Sequence, residues 1–181
     1  MSELTLITGG SRSGKSGFAE AKALAAADRL GIGPVAYLAT GEAYDQEFSR
    51  RIAHHQASRD QRFVTVEESL DLESGLRRAW EQSPIVLLEC ITTWLGNVFL
   101  HRPEDEREAF ARAQIDGLFR ALDEQKTGHL FVVTNEIGMG VVPMGEFTRH
   151  YCDAHGRTNQ RLAHASTGAW LLVSGLPVSL K

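Results

Sequence analysis

The chain has 181 residues, 43% of them hydrophobic and 23% charged, with a formal net charge of −4. That length and balance suit one globular domain spanning residues 1–181 with a sizeable core, and the dispersed arginines of an acidic chain exclude a nucleic-acid partner. No apolar run approaches the ~20 residues of a membrane span and no leader pattern opens the chain, so with only Cys90 and Cys152, lacking C-x-x-C spacing, the expectation is a cytoplasmic protein with free thiols.

In chain order, Leu4-Thr5-Leu6-Ile7-Thr8 is a short β-branched and apolar run that predicts a strand. It leads into Gly9-Gly10-Ser11-Arg12-Ser13-Gly14-Lys15-Ser16, a glycine, four residues and then Gly-Lys-Ser. In such a loop successive backbone N–H groups turn inward on a phosphate, the lysine adds a point charge, and the serine hydroxyl is offered to Mg²⁺. Good helix formers follow from Gly17 to Leu24, so a helix N-terminus aims at the same phosphates. The loop marks a nucleoside-triphosphate site.

Four further apolar runs follow: Pro34–Thr40, Ile85–Glu89, His129–Thr134 and Trp170–Ser174. They are nearly continuous rather than alternating, as in strands buried on both faces. Helical patterns at Glu20–Leu30, Leu70–Gln82, Glu104–Lys126 and Phe147–Ser166 separate them, and Asp45 to Arg59 reads as an amphipathic helix. The fold expected is α/β, a P-loop (RecA-like) mainly parallel sheet with helices on both faces. Leu176–Leu180 adds a small antiparallel strand at its C-terminal edge.

In such sheets ligands gather at the carboxyl ends of the strands. Glu89 closes the third apolar run, where a hard carboxylate oxygen serves as a Mg²⁺ ligand beside Ser16. Polar residues also end other strands, at Thr40 and at Thr134-Asn135-Glu136. Gly138, Gly140 and Pro143 then predict a loop near that edge. In the amphipathic stretch, Phe48, Ile52 and His55 share one helical face, while His54 sits away from it with Arg50 and Arg51. These residues alone also fit a P-loop small-molecule kinase that forms no covalent intermediate, or a GTP-regulated switch.

Several segments carry a more specific resemblance. They are Thr8–Ser16, Tyr37–Thr40, Arg51-Ile52-Ala53-His54 through Arg59, Thr65-Val66-Glu67, and Leu87 to Asn97 with its Glu-Cys-Ile-Thr-Thr core. Thr134-Asn135-Glu136-Ile137-Gly138-Met139-Gly140, Gly156 to Ala163 and Val173 to Pro177 complete the set. The chain resembles, over nearly its full length, the bifunctional adenosylcobinamide kinase/adenosylcobinamide-phosphate guanylyltransferases of cobalamin biosynthesis. The resemblance implies phosphorylation of the aminopropanol hydroxyl of adenosylcobinamide by ATP or GTP. It then implies GMP transfer from GTP through a guanylylated histidine, which by position is His54, with Lys15 acting on the phosphates. It further implies nucleotide contacts at Gly9, Gly10, Ser11, Arg12, Ser13, Gly14, Lys15, Ser16, Leu38, Ala39, Thr40, His55, Gln56, Ala57, Ser58, Glu67 and Glu89. The partner implied is the corrinoid substrate, and the assembly a homotrimer.

Overall fold

The computed structural model describes residues 2–42, 46, 50 and 59–181. Seven strands are described: β1 (Glu3–Gly9), β2 (Val35–Ala39), β3 (Phe63–Glu67), β4 (Ile85–Glu89), β5 (His129–Val133), β6 (Gly168–Val173) and β7 (Leu176–Ser179). Five helices accompany them: α1 (Lys15–Leu30), α2 (Leu72–Gln82), α3 (Ile91–His101), α4 (Arg107–Glu124) and α5 (Glu146–Ala165). One sheet holds all seven strands in the order β3-β2-β4-β5-β1-β6-β7. Every pairing is parallel except β6 with β7. This is the fold class expected from the sequence, including the antiparallel strand at the C-terminal edge.

Alternation along each strand divides the core in two. Leu4, Leu6, Ala36, Leu38, Val86, Leu88, Leu130 and Val132 face one side, where α2, α3, α4 and α5 pack. Ile7, Val35, Tyr37, Ile85, Leu87, Phe131 and Val133 face the other, against Ala19, Ala23, Ala26 and Ala27 of α1. Four alanines bring that helix close to the sheet, and parallel strands covered on both faces read as unbroken apolar runs. The same period of two puts Glu89 on the α1 side, two residues after Leu87.

Two elements differ from expectation. Phe63–Glu67 forms β3, although its mixed exposure gives it none of the continuous apolar character of the inner strands. Ile91–His101 forms α3, buried through Ile91, Trp94, Leu95, Val98 and Phe99, an i, i+3, i+4, i+7, i+8 stripe that follows directly on the Ile85–Glu89 run. The expected helix from Asp45 to Arg59 falls largely outside the described residues.

At the exit of β1, Gly9 has φ of 151°, and a Cβ there would stand 2.5 Å from the Leu172 carbonyl oxygen and 2.8 Å from Ser13 Oγ. Backbone of β6 cannot yield as a flexible side chain would. Gly9→Ala is therefore expected to lower unfolding free energy by about 1–3 kcal/mol, the usual cost of overpacking. A denaturant midpoint equal to that of the parent would show that β6 moves aside freely.

Candidate nucleotide site

The loop between β1 and α1 curls over its own backbone. Ser13 N–H donates to Gly10 O at 3.3 Å, and Gly14, with φ of 92°, caps α1 without any side-chain cap. The first helical bond runs from Phe18 N–H to Gly14 O at 3.1 Å, so the N–H groups of Lys15, Ser16 and Gly17 have no intrahelical acceptor, which makes an anion site of that helix end. Gly10, Ser11, Arg12 and Gly14 are exposed, whereas Ser13 and Lys15 are buried. The C-terminal hairpin braces the loop: Gly175 N–H donates to Ser13 O at 3.0 Å.

Lys15 is only 7% exposed; its ammonium donates to Gly10 O at 2.5 Å and to Ser13 Oγ at 3.5 Å. Burial lowers its pKa, opposed by the nearby Cys90 and Glu89. Ser16 Oγ donates to Glu89 Oε1. The other oxygen of that carboxylate, Oε2, is buried with no hydrogen-bond partner among the described residues. One carboxylate and one hydroxyl thus converge beside the phosphate loop, an all-oxygen set suited to a hard cation that keeps its other ligands from water and phosphate. Among the described residues no cluster of three or more His, Cys, Asp or Glu side chains assembles into a metal cage.

Glu20 and Tyr37, not singled out from the sequence, complete this corner together with Arg59. Glu20, one turn beyond Ser16 on α1, has its pKa raised, first by burial and then by the Glu89 charge. The Tyr37 hydroxyl is held as a neutral phenol, its pKa pushed up by burial and then by Glu89. The Arg59 guanidinium lies 3.2 Å from the centre of the Tyr37 ring and donates to Thr65 Oγ1 at 2.9 Å. Glu20 was discoverable from its spacing of four from Ser16; the other two meet only through the β2–β3 pairing.

The remaining expected contacts are distributed unevenly. Leu38 is wholly buried in the core on the helix-rich face. Thr40 is also buried, with Oγ1 3.2 and 3.0 Å from the carbonyl oxygens of Glu89 and Cys90, so its hydroxyl shapes the end of β4. Ala39 stands in register between Glu67 and Glu89. Glu67 is exposed at the end of β3, four strands or roughly 19 Å across the sheet from β1 at ~4.8 Å per strand. The structure does not bring it to the phosphate loop. His54, His55, Gln56, Ala57 and Ser58 lie outside the described residues.

A second polar cluster sits behind the strand ends. His155 of α5 is 1% exposed, with Nε2 at 2.9 Å from Thr92 Oγ1 and 3.2 Å from Thr134 Oγ1. Asn159 joins it, accepting from Thr134 Oγ1 at 2.8 Å and donating to Asn135 O at 3.0 Å. Tyr151, one turn before His155, donates to Thr92 O at 2.7 Å. Polar residues at positions 151, 155 and 159 share a helix face with buried Leu162, a signal that was present in the sequence.

The site is that of a P-loop enzyme, and comparison with known proteins gives it a family. The family profile described as cobinamide kinase/cobinamide phosphate guanyltransferase matches residues 5–180. The chain belongs to this family. Within the cobinamide kinase/guanyltransferase family it is 42% identical over 180 residues to the bifunctional adenosylcobalamin biosynthesis protein CobP of Pseudomonas aeruginosa, covering 97% of this chain and 96% of that one. It is 36% identical over 190 residues to the Escherichia coli protein CobU, which carries the same bifunctional description, covering 98% and 99%. Among solved structures, a KaiC-like protein of Pyrococcus horikoshii superposes with a TM-score of 0.49 at 14% identity, covering 93% of this chain and 70% of that one. The cobinamide kinase/guanyltransferase family makes this chain a transferase of cobalamin biosynthesis. No helix among the described residues is long and apolar enough to cross a membrane.

Burial lowers the His155 pKa to about 4, from 6.5 for an ordinary imidazole. The unfolded chain therefore binds the extra proton first: the stability from this neutral histidine is complete above about pH 6.5 and is lost as pH falls towards 4. The shift corresponds to about 3 kcal/mol over that window. His129, its pKa also lowered chiefly by burial, acts in the same direction. Denaturant midpoints measured from pH 7 to 4.5 should fall more steeply in the parent than in His155→Gln; parallel slopes would remove His155 from the acid response.

Proposed function

We propose that this enzyme phosphorylates the aminopropanol hydroxyl of adenosylcobinamide with ATP or GTP, then transfers GMP from GTP to that phosphate through a guanylyl-His54 intermediate. The observation that carries the nucleotide part is the meeting of three features: the Gly9–Ser16 loop, the buried Lys15 ammonium and the Ser16–Glu89 contact. The full-length family match supports the two activities and the corrinoid. The resemblance also underlies our assignment of a cytoplasmic homotrimer.

In the first reaction the substrate hydroxyl attacks the γ-phosphorus, and the bond to the bridging oxygen of the nucleoside diphosphate breaks. Lys15 and the loop N–H groups stabilise the charge that develops, a task of positioning and electrostatics. In the second, an unprotonated His54 nitrogen attacks the α-phosphorus of GTP and pyrophosphate leaves. A phosphate oxygen of adenosylcobinamide phosphate then displaces His54, breaking the P–N bond and giving adenosylcobinamide-GDP. Ser16 and Glu89 would hold Mg²⁺, a fit supported by the buried, unpartnered Glu89 Oε2. When bound, that cation supplies neutralising charge to the phosphates. We assign the corrinoid to the surface beside the segment that follows Glu136. Glu136 N–H donates to Gly9 O at 2.9 Å, and Met139, Val141, Val142 and Met144 are exposed just beyond it.

His54→Ala should abolish protein labelling by α-labelled GTP and formation of the GDP adduct, while phosphorylation of adenosylcobinamide continues at a substantial rate. Mass spectrometry of the corrinoid product separates the two steps, and retained labelling in the variant would move the adduct to another residue.

Glu89→Gln replaces a charged ligand by a neutral amide of the same shape. The Mg²⁺ concentration that half-saturates GTP binding should rise about tenfold, ~1.4 kcal/mol. An unchanged titration would leave Glu89 only its hydrogen bond to Ser16.

A further inference from the structure

The buried cluster behind the strand ends has one consistent proton arrangement. Asn159 Nδ2 donates to Asn135 O, and Thr134 Oγ1 donates to Asn159 Oδ1. Reversing that amide would set its oxygen against the Asn135 carbonyl and its NH₂ against a hydroxyl it now accepts from, so its orientation is fixed by the network. Asn159 Nδ2 also lies 3.4 Å from His155 Nδ1, which must therefore be the accepting nitrogen. The imidazole proton then sits on Nε2, directed at Thr92 Oγ1 and Thr134 Oγ1. A second proton on Nδ1 would oppose the Asn159 amide donor to donor.

Two strand ends are joined through this ring. Thr92, three residues beyond Glu89, accepts from Asn135 N–H at 2.8 Å, while Asn159 binds the Asn135 carbonyl. Both polar groups of the Asn135 backbone are thus tied to the cluster. The next residue, Glu136, gives its N–H to Gly9 O, the first carbonyl of the phosphate loop. The path from His155 to Gly9 runs through one side chain and two consecutive peptide units.

We infer that His155 is a positioning residue for the nucleotide site: through Thr92 and Asn135 it ties the end of β4 to the end of β5, and so holds Gly9 at a set distance from Glu89. This rests on the reading of Gly9–Ser16 as the nucleotide loop. His155 touches no nucleotide; its effect passes through the Glu136–Gly9 hydrogen bond.

The test compares parent, His155→Leu, His155→Gln and Thr92→Val, using a non-hydrolysable β,γ-imido GTP analogue and amide hydrogen exchange. His155→Leu should weaken analogue binding about tenfold, the scale of one buried polar group left unpaired. Exchange should quicken about tenfold in residues 7–16 and 134–140, with residues 35–39 unchanged. His155→Gln, whose amide N–H can stand where the imidazole Nε2–H stands, should recover binding to within about threefold of the parent. Thr92→Val keeps shape and removes the bridge to Asn135, so it should reproduce the local pattern, and it decides the matter if His155→Leu does not fold. Uniformly faster exchange with unchanged analogue affinity would make the cluster merely structural and overturn the inference. A parent that fails to bind the analogue would instead sink the nucleotide reading itself, and this inference with it.

Discussion

A lysine ammonium withdrawn from water is the constraint that shapes this molecule's working end. Burial costs Lys15 much of its hydration, and the loop answers with the Gly10 carbonyl and the Ser13 hydroxyl. The Cys90 and Glu89 charges, at the end of β4 two strands from β1, oppose the effect of burial. That carboxylate is therefore shared: it receives the Ser16 hydroxyl, supports the lysine charge, and raises the pKa values of Glu20 and Tyr37. Removing any member alters the electrostatic setting of the rest.

The sheet makes that sharing possible through alternation alone. Ile85, Leu87 and Glu89 point to one side, and the same side receives the alanine face of α1. The residue that ends the run on that side must meet the first turns of α1, so a carboxylate at position 89 finds Ser16. Thr40 fixes the same strand end from β2, bonding the backbone of Glu89 and Cys90, while Asn97 reaches over to the Thr40 carbonyl at 2.7 Å. Polar side chains buried at strand ends here serve backbone, as Thr40 does for Glu89 and Cys90.

Inner strands were legible because burial on both faces leaves an unmistakable apolar run, and the phosphate loop because its chemistry demands glycine, lysine and serine at fixed spacing. β3 was not, since an edge strand with exposed Val64, Thr65 and Glu67 carries no such run. The signal for α3 was present but unused: Ile91, Trp94, Leu95, Val98 and Phe99 fall at i, i+3, i+4, i+7 and i+8, the stripe of an amphipathic helix. Within the site, Lys15, Ser16 and Glu89 could be named from motif and strand end. Arg59 on Tyr37, or His155 between two threonines, could not, because each depends on elements brought together only by the sheet order. Glu67, drawn from a recognisable segment, ends β3 beside Ala39, which itself pairs with Glu89.

The inner strand β1 pairs with β5 on one side and β6 on the other, partners that begin at residues 129 and 168. Gly175, just beyond β6, is close enough to the phosphate loop that a Cβ on Gly14 would stand 3.3 Å from its Cα. The phosphate loop thus leans on residues far from it in sequence: Glu89 on Ser16, Glu136 on Gly9 and Gly175 on Ser13. The last of these supports, like the β1–β6 pairing, comes from residues 168–175, so the geometry of the loop belongs to the assembled sheet rather than to its own short motif.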